Sequence, residues 1–240
     1  MVVNVENVDK LIITADKHGQ LEEITYFLNS NHIDNACIVV CGDVGLGFNK
    51  GDDLQIKYVE KCLAKHSSIV IACRGNHDNP LIFNEFRYQN LFKTVPDYTI
   101  VNVMDKNILC LGGAISIDRS WRQSLNKNNV WWPDEGFVYQ PKVEQRVDII
   151  CSHAAPDFVY PYIKNDTVLY YSVKDPTLIE DIDKERSLLT KVFYDYKDTL
   201  THWYYGHYHD SHYELIDNTT FRLLNIVEFY NHVTDNNYKL

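Results

Sequence analysis

Five short apolar runs punctuate the chain: Leu11 to Thr14, Cys37 to Cys41, Ser68 to Cys73, Ile108 to Leu111 and Val147 to Cys151. Most are rich in Ile or Val, and each is stopped by a turn or a polar cluster. Runs of that length and composition predict strands buried on both faces. Between the early runs the period lengthens to that of a helix, with Leu21, Ile24 and Leu28 on one face and Ile56, Val59 and Leu63 on another. Strand and helix in alternation predict an α/β sheet with helices packed outside it.

After Leu111 this rhythm stops. Gly112 to Gln145 is rich in Gly, Asn, Trp and Arg and has no sustained period, which predicts a long irregular insertion. A second departure spans Ala154 to Asp175, where Pro156 and Pro161, with Pro176 just beyond, interrupt helix formation and Tyr160, Tyr162, Tyr170 and Tyr171 crowd together. Ile179, Ile182, Leu189, Val192, Phe193 and Tyr196 then mark an amphipathic helix, and Trp203 to Tyr205 a short strand. Tyr213 to Ile216 and Phe221 to Val227, separated by Asp217-Asn218-Thr219-Thr220, predict a hairpin. Length and apolar content suit one domain over residues 1–240, with irregular insertions near 112–145 and 154–178.

The charge of −10, from 33 acidic and 23 basic side chains, argues against a broad electrostatic footprint for nucleic acid or an anionic membrane, while leaving room for a local basic site. Met1 to Lys10 lacks the features of a signal peptide, and no apolar run approaches membrane-spanning length, so the expectation is a cytoplasmic protein without a membrane partner. The six cysteines sit mostly inside apolar runs without C-x-x-C spacing, which favours buried reduced thiols.

The polar clusters that end the apolar runs carry the chemistry. They are Asp16-Lys17-His18-Gly19, Gly42-Asp43, Gly75-Asn76-His77-Asp78, Ser152-His153 and, after the later strand, Gly206-His207-Tyr208-His209. In open α/β sheets ligand-binding groups gather beyond the carboxyl ends of strands, where all of these clusters fall. Asp16 and His18 are two apart and share one side of an extended segment. Asp43 has two oxygens and can bridge two cations, Asn76 adds a neutral oxygen, and His153, His207 and His209 add imidazoles. That mixture suits Mn foremost, with Fe or Zn as alternatives, better than Ca. Seven candidate ligands exceed one octahedral shell that must also hold substrate, so two divalent metal ions are implied, about 3.5 to 4 Å apart as in two-metal hydrolases. Two dications less two carboxylates and one bridging hydroxide leave net positive charge for a phosphate oxyanion, with that hydroxide as the nucleophile. His77, next to Asn76, is placed to protonate a leaving oxygen, and Asp78 to orient it or raise its pKa.

In order and spacing these clusters resemble the calcineurin-like metallophosphoesterase superfamily, whose pattern is Asp-x-His, Gly-Asp, Gly-Asn-His-Asp/Glu, His and Gly-His-x-His. The likeness runs from Leu11 to His209 with every pattern position filled. It implies a four-layer αββα sandwich of two mixed sheets flanked by helices. It also implies that Asp16, His18, Asp43 and His209 hold a first metal, that Asp43, Asn76, His153 and His207 hold a second, and that His77 is the catalytic histidine.

One departure bears on substrate. Protein phosphatases of the superfamily follow Gly-Asp with Val-Asp-Arg-Gly, whose arginine grips a phosphomonoester, whereas Gly42-Asp43 here runs into Val44-Gly45-Leu46-Gly47-Phe48. The expectation is therefore a phosphodiesterase, acting on nucleotide-like substrates or nucleic-acid fragments. A phosphomonoesterase on the same metals is the first alternative, and a silent interaction module, as a retromer subunit of the superfamily resembles, is the second. Arg119 and Arg122 are candidates to clamp a phosphate, and Arg74 is either substrate-facing or part of a structural ion pair. Trp131 and Trp132 are read as core beneath the insertion rather than as a stacking platform.

Overall fold

The apolar runs become the centres of two sheets. In the computed structural model, which describes residues 1–48, 51–127 and 129–240, the first half of the chain alternates strand and helix. It comprises β1 (Val2–Val5), β2 (Lys10–Thr14), α1 (Glu22–Ser30), β3 (Ala36–Val40), α2 (Asp52–Lys65), β4 (Ile69–Ala72), α3 (Pro80–Asn84) and β5 (Phe92–Thr94). The second half adds β6 (Thr99–Val103), β7 (Lys106–Leu111), α4 (Arg119–Ser124), β8 (Ile149–Ser152), α5 (Asp166–Ser172) and α6 (Leu178–Tyr196). It ends with β9 (His202–Tyr205), β10 (His212–Ile216), β11 (Thr219–Leu223), β12 (Glu228–Asn231) and β13 (Asn236–Lys239).

One sheet runs β13-β12-β2-β3-β4-β5 and the other β1-β6-β7-β8-β9-β11-β10. Both are mixed: β2 to β5 pair in parallel and so do β7, β8 and β9, while β12 and β6 enter antiparallel. Alternation along each strand sorts the core into three layers. On β2, Ile12 faces Ile24, Phe27, Val59 and Leu63 of the helices, whereas Leu11 and Ile13 face inward with Val39, Ile71, Val101, Ile108 and Ile149 between the sheets. Beyond the second sheet, Leu189, Val192 and Phe193 of α6 pack on Leu109, Ile150, Trp203 and Phe221. The result is helix, sheet, sheet, helix, the four-layer sandwich the resemblance implied. Each fully buried Leu, Ile or Phe contributes about 1.5–3 kcal/mol relative to an exposed one.

Several elements differ from the pattern-based expectation. The hairpin turn contains only Asp217 and Asn218, both with positive φ (47° and 66°), because Ile216 already pairs with Thr219. The second strand stops at Leu223 rather than Val227. There Asn225 turns the chain, its side-chain oxygen accepting from the Ile226 amide while Glu228 accepts from the Asn225 amide, and the chain crosses to the other sheet as β12. The irregular stretch after Leu111 contains α4, and the stretch after Ala154 contains α5. Neither helix has a buried residue, so neither carries an apolar period. Asn128, within the first of these stretches, lies outside the described residues. Five cysteines are buried and Cys62 is partly so, and burial pushes the Cys41 and Cys151 thiols up. Among the described residues no helix is long and apolar enough to cross a membrane.

Candidate metal centre and active-site cleft

The polar clusters converge at one end of the sandwich because the strands that precede them run the same way within each sheet. The loops are tied directly to one another: the Asp16 amide donates to the Gly42 carbonyl (3.1 Å), the His18 amide to that of Asp43 (2.8 Å) and the Gly206 amide to that of His153 (3.1 Å). Asp16, His18, Asp43, His207 and His209 all have positive φ, between 47° and 72°. Such backbones cost on the order of 1 kcal/mol each and persist only where the surroundings over-determine them, as at functional sites.

Two groups of ligand atoms share Asp43. In the first, Asp16, His18, Asp43 and His209 each present an atom such that all lie within 4.8 Å of one another. The Nε2 atoms of His18 and His209 face each other at 3.0 Å, and His209 Nε2 lies 3.4 Å from Asp16 Oδ1. In the second, His153 Nε2 lies 3.0 Å from Asn76 Oδ1 and 3.1 Å from Asp43 Oδ1, and the His207 ring packs edge-on to it at 5.0 Å. Asp43 Oδ1 thus faces the second group while Oδ2 faces His18 Nδ1 at 3.7 Å. His153 Nδ1 donates to the Cys41 carbonyl at 2.9 Å, and the carboxylate of Asp16 accepts the His207 amide at 3.0 Å. Carbonyl and amide partners of this kind fix the orientation of metal-ligating side chains. Gly75 permits the close approach: a Cβ there would sit 2.1 Å from Asp43 Oδ1. Convergent imidazoles and carboxylates of this composition fit divalent transition cations.

Burial and charge set the protonation of the cluster. Burial pushes His207 well below its ordinary value, aided by His153, and burial likewise lowers His18. Burial alone would raise Asp43, but His153, His77 and His18 hold it below the usual carboxylate range. Burial opposes protonation of His153, yet its contact with Asp43 raises it to about 9.

His77 stands at the mouth of the site. Its amide donates to Asp43 Oδ1 (2.7 Å), its ring stacks with Phe48 at 5.6 Å, and Arg122 approaches its Nε2 at 3.4 Å. Burial pushes the imidazole down to about 4, against the pull of Asp43 and with the push of Arg122.

Other expected roles are corrected by the contacts. Asp78 does not orient His77: its two oxygens accept backbone amides from Gly75 (2.7 Å), Val44 (3.1 Å), Gly45 (2.8 Å) and Leu46 (2.9 Å), stapling two ligand loops together. Arg74 does not face substrate. It is 4% exposed, and its guanidinium is spent on Asp97 and on the carbonyls of Asp134, Glu135 and Gly136. Arg119 is likewise a strut, bound to Asp175, Thr177 and Asp181. Of the three arginines, it is Arg122 that lines the cleft over the ligand groups. Trp132 is only partly buried and packs edge-on to Phe48 at 4.8 Å, so it belongs to the aromatic wall beside His77 rather than to the core. Ser116, which the pattern did not mark, accepts a hydrogen bond from the Asn76 amide at 2.9 Å.

With this geometry in place, comparison with known protein families gives the class. The profile of calcineurin-like phosphoesterases matches residues 10–211. The chain belongs to the calcineurin-like phosphoesterase family and is a metal-dependent hydrolase of phosphoric esters. No curated protein matches it in sequence. Among solved structures, an archaeal phosphodiesterase is 12% identical over 97% of this chain and 99% of its own, with a TM-score of 0.41. The phosphopantetheinyl hydrolase of Mycobacterium tuberculosis is 14% identical over 92% and 91%, with a TM-score of 0.39. Zinc-complexed Vps29 of Entamoeba histolytica is 10% identical over 97% and 93%, with a TM-score of 0.39.

Proposed function

We propose that residues 1–240 form one phosphodiesterase domain in which Asp16, His18, Asp43 and His209 hold one divalent cation and Asp43, Asn76, His153 and His207 hold a second, with Mn the best-suited metal. The observation that carries this reading is the position of Asp43, whose two oxygens face two separate groups of ligand atoms. Bound there, two cations would polarise the phosphoryl oxygens and lower the pKa of attacking water.

The chain's own residues supply the rest. His153 and Asn76 are pre-oriented by Cys41 and Ser116, so that little reorganisation accompanies ligand binding. His77 is the leaving-group acid. Burial and Arg122 keep it neutral in the free protein, and an arriving phosphate anion raises its pKa by supplying the negative charge that favours the imidazolium. Arg122, itself paired with Asp118 at 2.7 Å, approaches this ring at 3.4 Å and would contact a phosphate oxygen bound beside it. With Arg74 and Arg119 consumed elsewhere, the cleft lacks the array of free guanidiniums that a phosphomonoester dianion would favour, and a monoanionic diester, such as a nucleotide-like ester, fits better.

The test compares rates on bis-p-nitrophenyl phosphate and p-nitrophenyl phosphate with Mn-loaded protein. Preference for the diester is expected, and a strong preference for the monoester overturns the proposal.

A further inference from the structure

The cleft that opens from the ligand groups is larger than a phosphate requires. It encloses about 860 Å³ and extends from Asp43, His77 and His207 to the segment around α5 and the start of α6. That far wall is apolar and aromatic, formed chiefly by Ile117, Tyr162, Ile163, Val168, Tyr171 and Ile182. Ile163 is 82% exposed and Tyr162 is 61% exposed, although both line a concavity. Contiguous apolar surface of this kind marks a ligand-binding groove more often than it decorates a free surface. The tyrosines are held in place from behind: the Tyr160 hydroxyl donates to Asp210 at 2.7 Å and that of Tyr162 to Glu214 at 2.5 Å.

The cations along this wall are already engaged within the protein. Arg122 is paired with Asp118 and Lys164 with Asp183. The Arg186 guanidinium donates to the carbonyls of Ala155, Pro156, Val159 and Pro161. Asp118 lies in the same lining with its charge offset by Arg122, and burial pushes the Glu185 carboxyl up. A second anionic group on the substrate would therefore meet apolar side chains and cations whose donors are already taken, at a desolvation cost with little compensation.

We propose that this arm of the cleft is a subsite for an uncharged aromatic or aliphatic ester substituent. The preferred substrate is then a diester with one phosphate and one apolar arm. A nucleoside whose single phosphate carries a second ester bond falls in this class, whereas a nucleoside polyphosphate or a nucleic-acid chain does not. The inference rests on the phosphodiesterase reading for its chemistry but on the far wall alone for its selectivity.

Calorimetry on Mn-loaded protein tests it with methyl-, benzyl- and 2-carboxyethylphosphonate as probes. Benzylphosphonate is expected to bind about tenfold more tightly than methylphosphonate, equivalent to about 1.4 kcal/mol, and the carboxyethyl compound no more tightly than the methyl. Tyr171→Ala and Val168→Ser are each expected to cut the benzyl-to-methyl ratio to about threefold or less, because each removes apolar area from the wall. α5 has no buried residue, so these variants keep the fold. Leu169→Ala, on the same helix but outside the cleft, keeps the wild-type ratio. Equal affinity for benzyl and methyl, tightest binding of the carboxylated probe, or a ratio unmoved by either cleft variant overturns the subsite. A parallel assay on bis-p-nitrophenyl phosphate separates the two readings. Benzyl preference without diester hydrolysis removes the proposed activity and leaves the subsite, and hydrolysis without benzyl preference does the reverse.

Discussion

The side-chain amide of Asn76 donates to Ser116 Oγ at 2.9 Å, and the Ser116 hydroxyl donates in turn to Glu135 Oε2 at 2.7 Å. With its nitrogen engaged, Asn76 is left to present its oxygen to the second ligand group, 3.0 Å from His153 Nε2. A flipped amide would aim N–H donors at a cation, which they cannot ligate. Glu135 also accepts the Ser116 backbone amide at 2.7 Å. A residue of the irregular stretch after Leu111 therefore helps to set a donor atom of the site.

Ser116→Ala should consequently weaken metal binding at the second group by about 10- to 100-fold, the usual effect of losing an orienting partner. Metal titration followed by calorimetry reads this directly, with one ion per chain expected at concentrations where two are expected in the wild type. Two tight ions in the variant would show that Ser116 does not position Asn76.

A methyl group placed beneath the Asp43 carboxylate should be more damaging. Gly75→Ala sets a Cβ 2.1 Å from Asp43 Oδ1 and 2.3 Å from the Asp43 amide nitrogen, and backbone cannot swing away as a flexible side chain can. Diester hydrolysis should fall by about 100-fold or more, since displacements of about 1 Å in a reacting constellation have effects of that size. The check is kcat/KM under saturating Mn; wild-type activity would mean that the loop shifts freely.

His77 and Asp78 are neighbours with separable roles. His77→Ala should slow alkyl esters far more than nitrophenyl esters, whose leaving group needs little protonation. Asp78→Asn should leave that selectivity unchanged, because its oxygens accept only backbone amides from Gly75, Val44, Gly45 and Leu46. It should instead destabilise the fold by about 1–3 kcal/mol as a buried amide donor loses its acceptor. Urea titration measures the second effect, and a leaving-group series measures the first. A change in leaving-group selectivity in Asp78→Asn would reinstate the acid-orienting role.

These contrasts separate the parts of the molecule that are legible in the sequence from those that are not. The residues of the ligand groups can be picked out because each sits just beyond an apolar run, and parallel strands deliver the loops at their ends to a common edge. The fates of Arg74 and Arg119 cannot, because their carboxylate partners Asp97, Asp175 and Asp181 lie 23, 56 and 62 positions away. Ser116 is hidden for the same reason, being 40 positions from Asn76. α4 and α5 leave no periodic signal because a helix that buries nothing needs no apolar stripe. Strand β13, with the sequence Asn-Asn-Tyr-Lys, is mostly exposed and is held by pairing with β12 rather than by a hydrophobic face.

The far end of the sandwich carries a pH dependence independent of metal. His232 accepts the Tyr204 hydroxyl at Nδ1 (2.8 Å) and packs edge-on to His202 at 4.6 Å, at the opposite end of β9 from His207. Burial pushes His232 down to about 4, and His202 and Lys106 push the same way. A histidine whose folded pKa lies below its unfolded value, about 6.5, binds a proton more readily once the chain opens. Its neutral form therefore contributes stability in full above about pH 6.5, and that contribution is lost as pH falls toward about 4. Urea midpoints of metal-free protein at pH 7 and pH 5 should differ, and the difference should shrink in His232→Gln, which keeps a polar side chain but cannot titrate. An equal pH dependence in variant and wild type would place the acid sensitivity elsewhere in the fold.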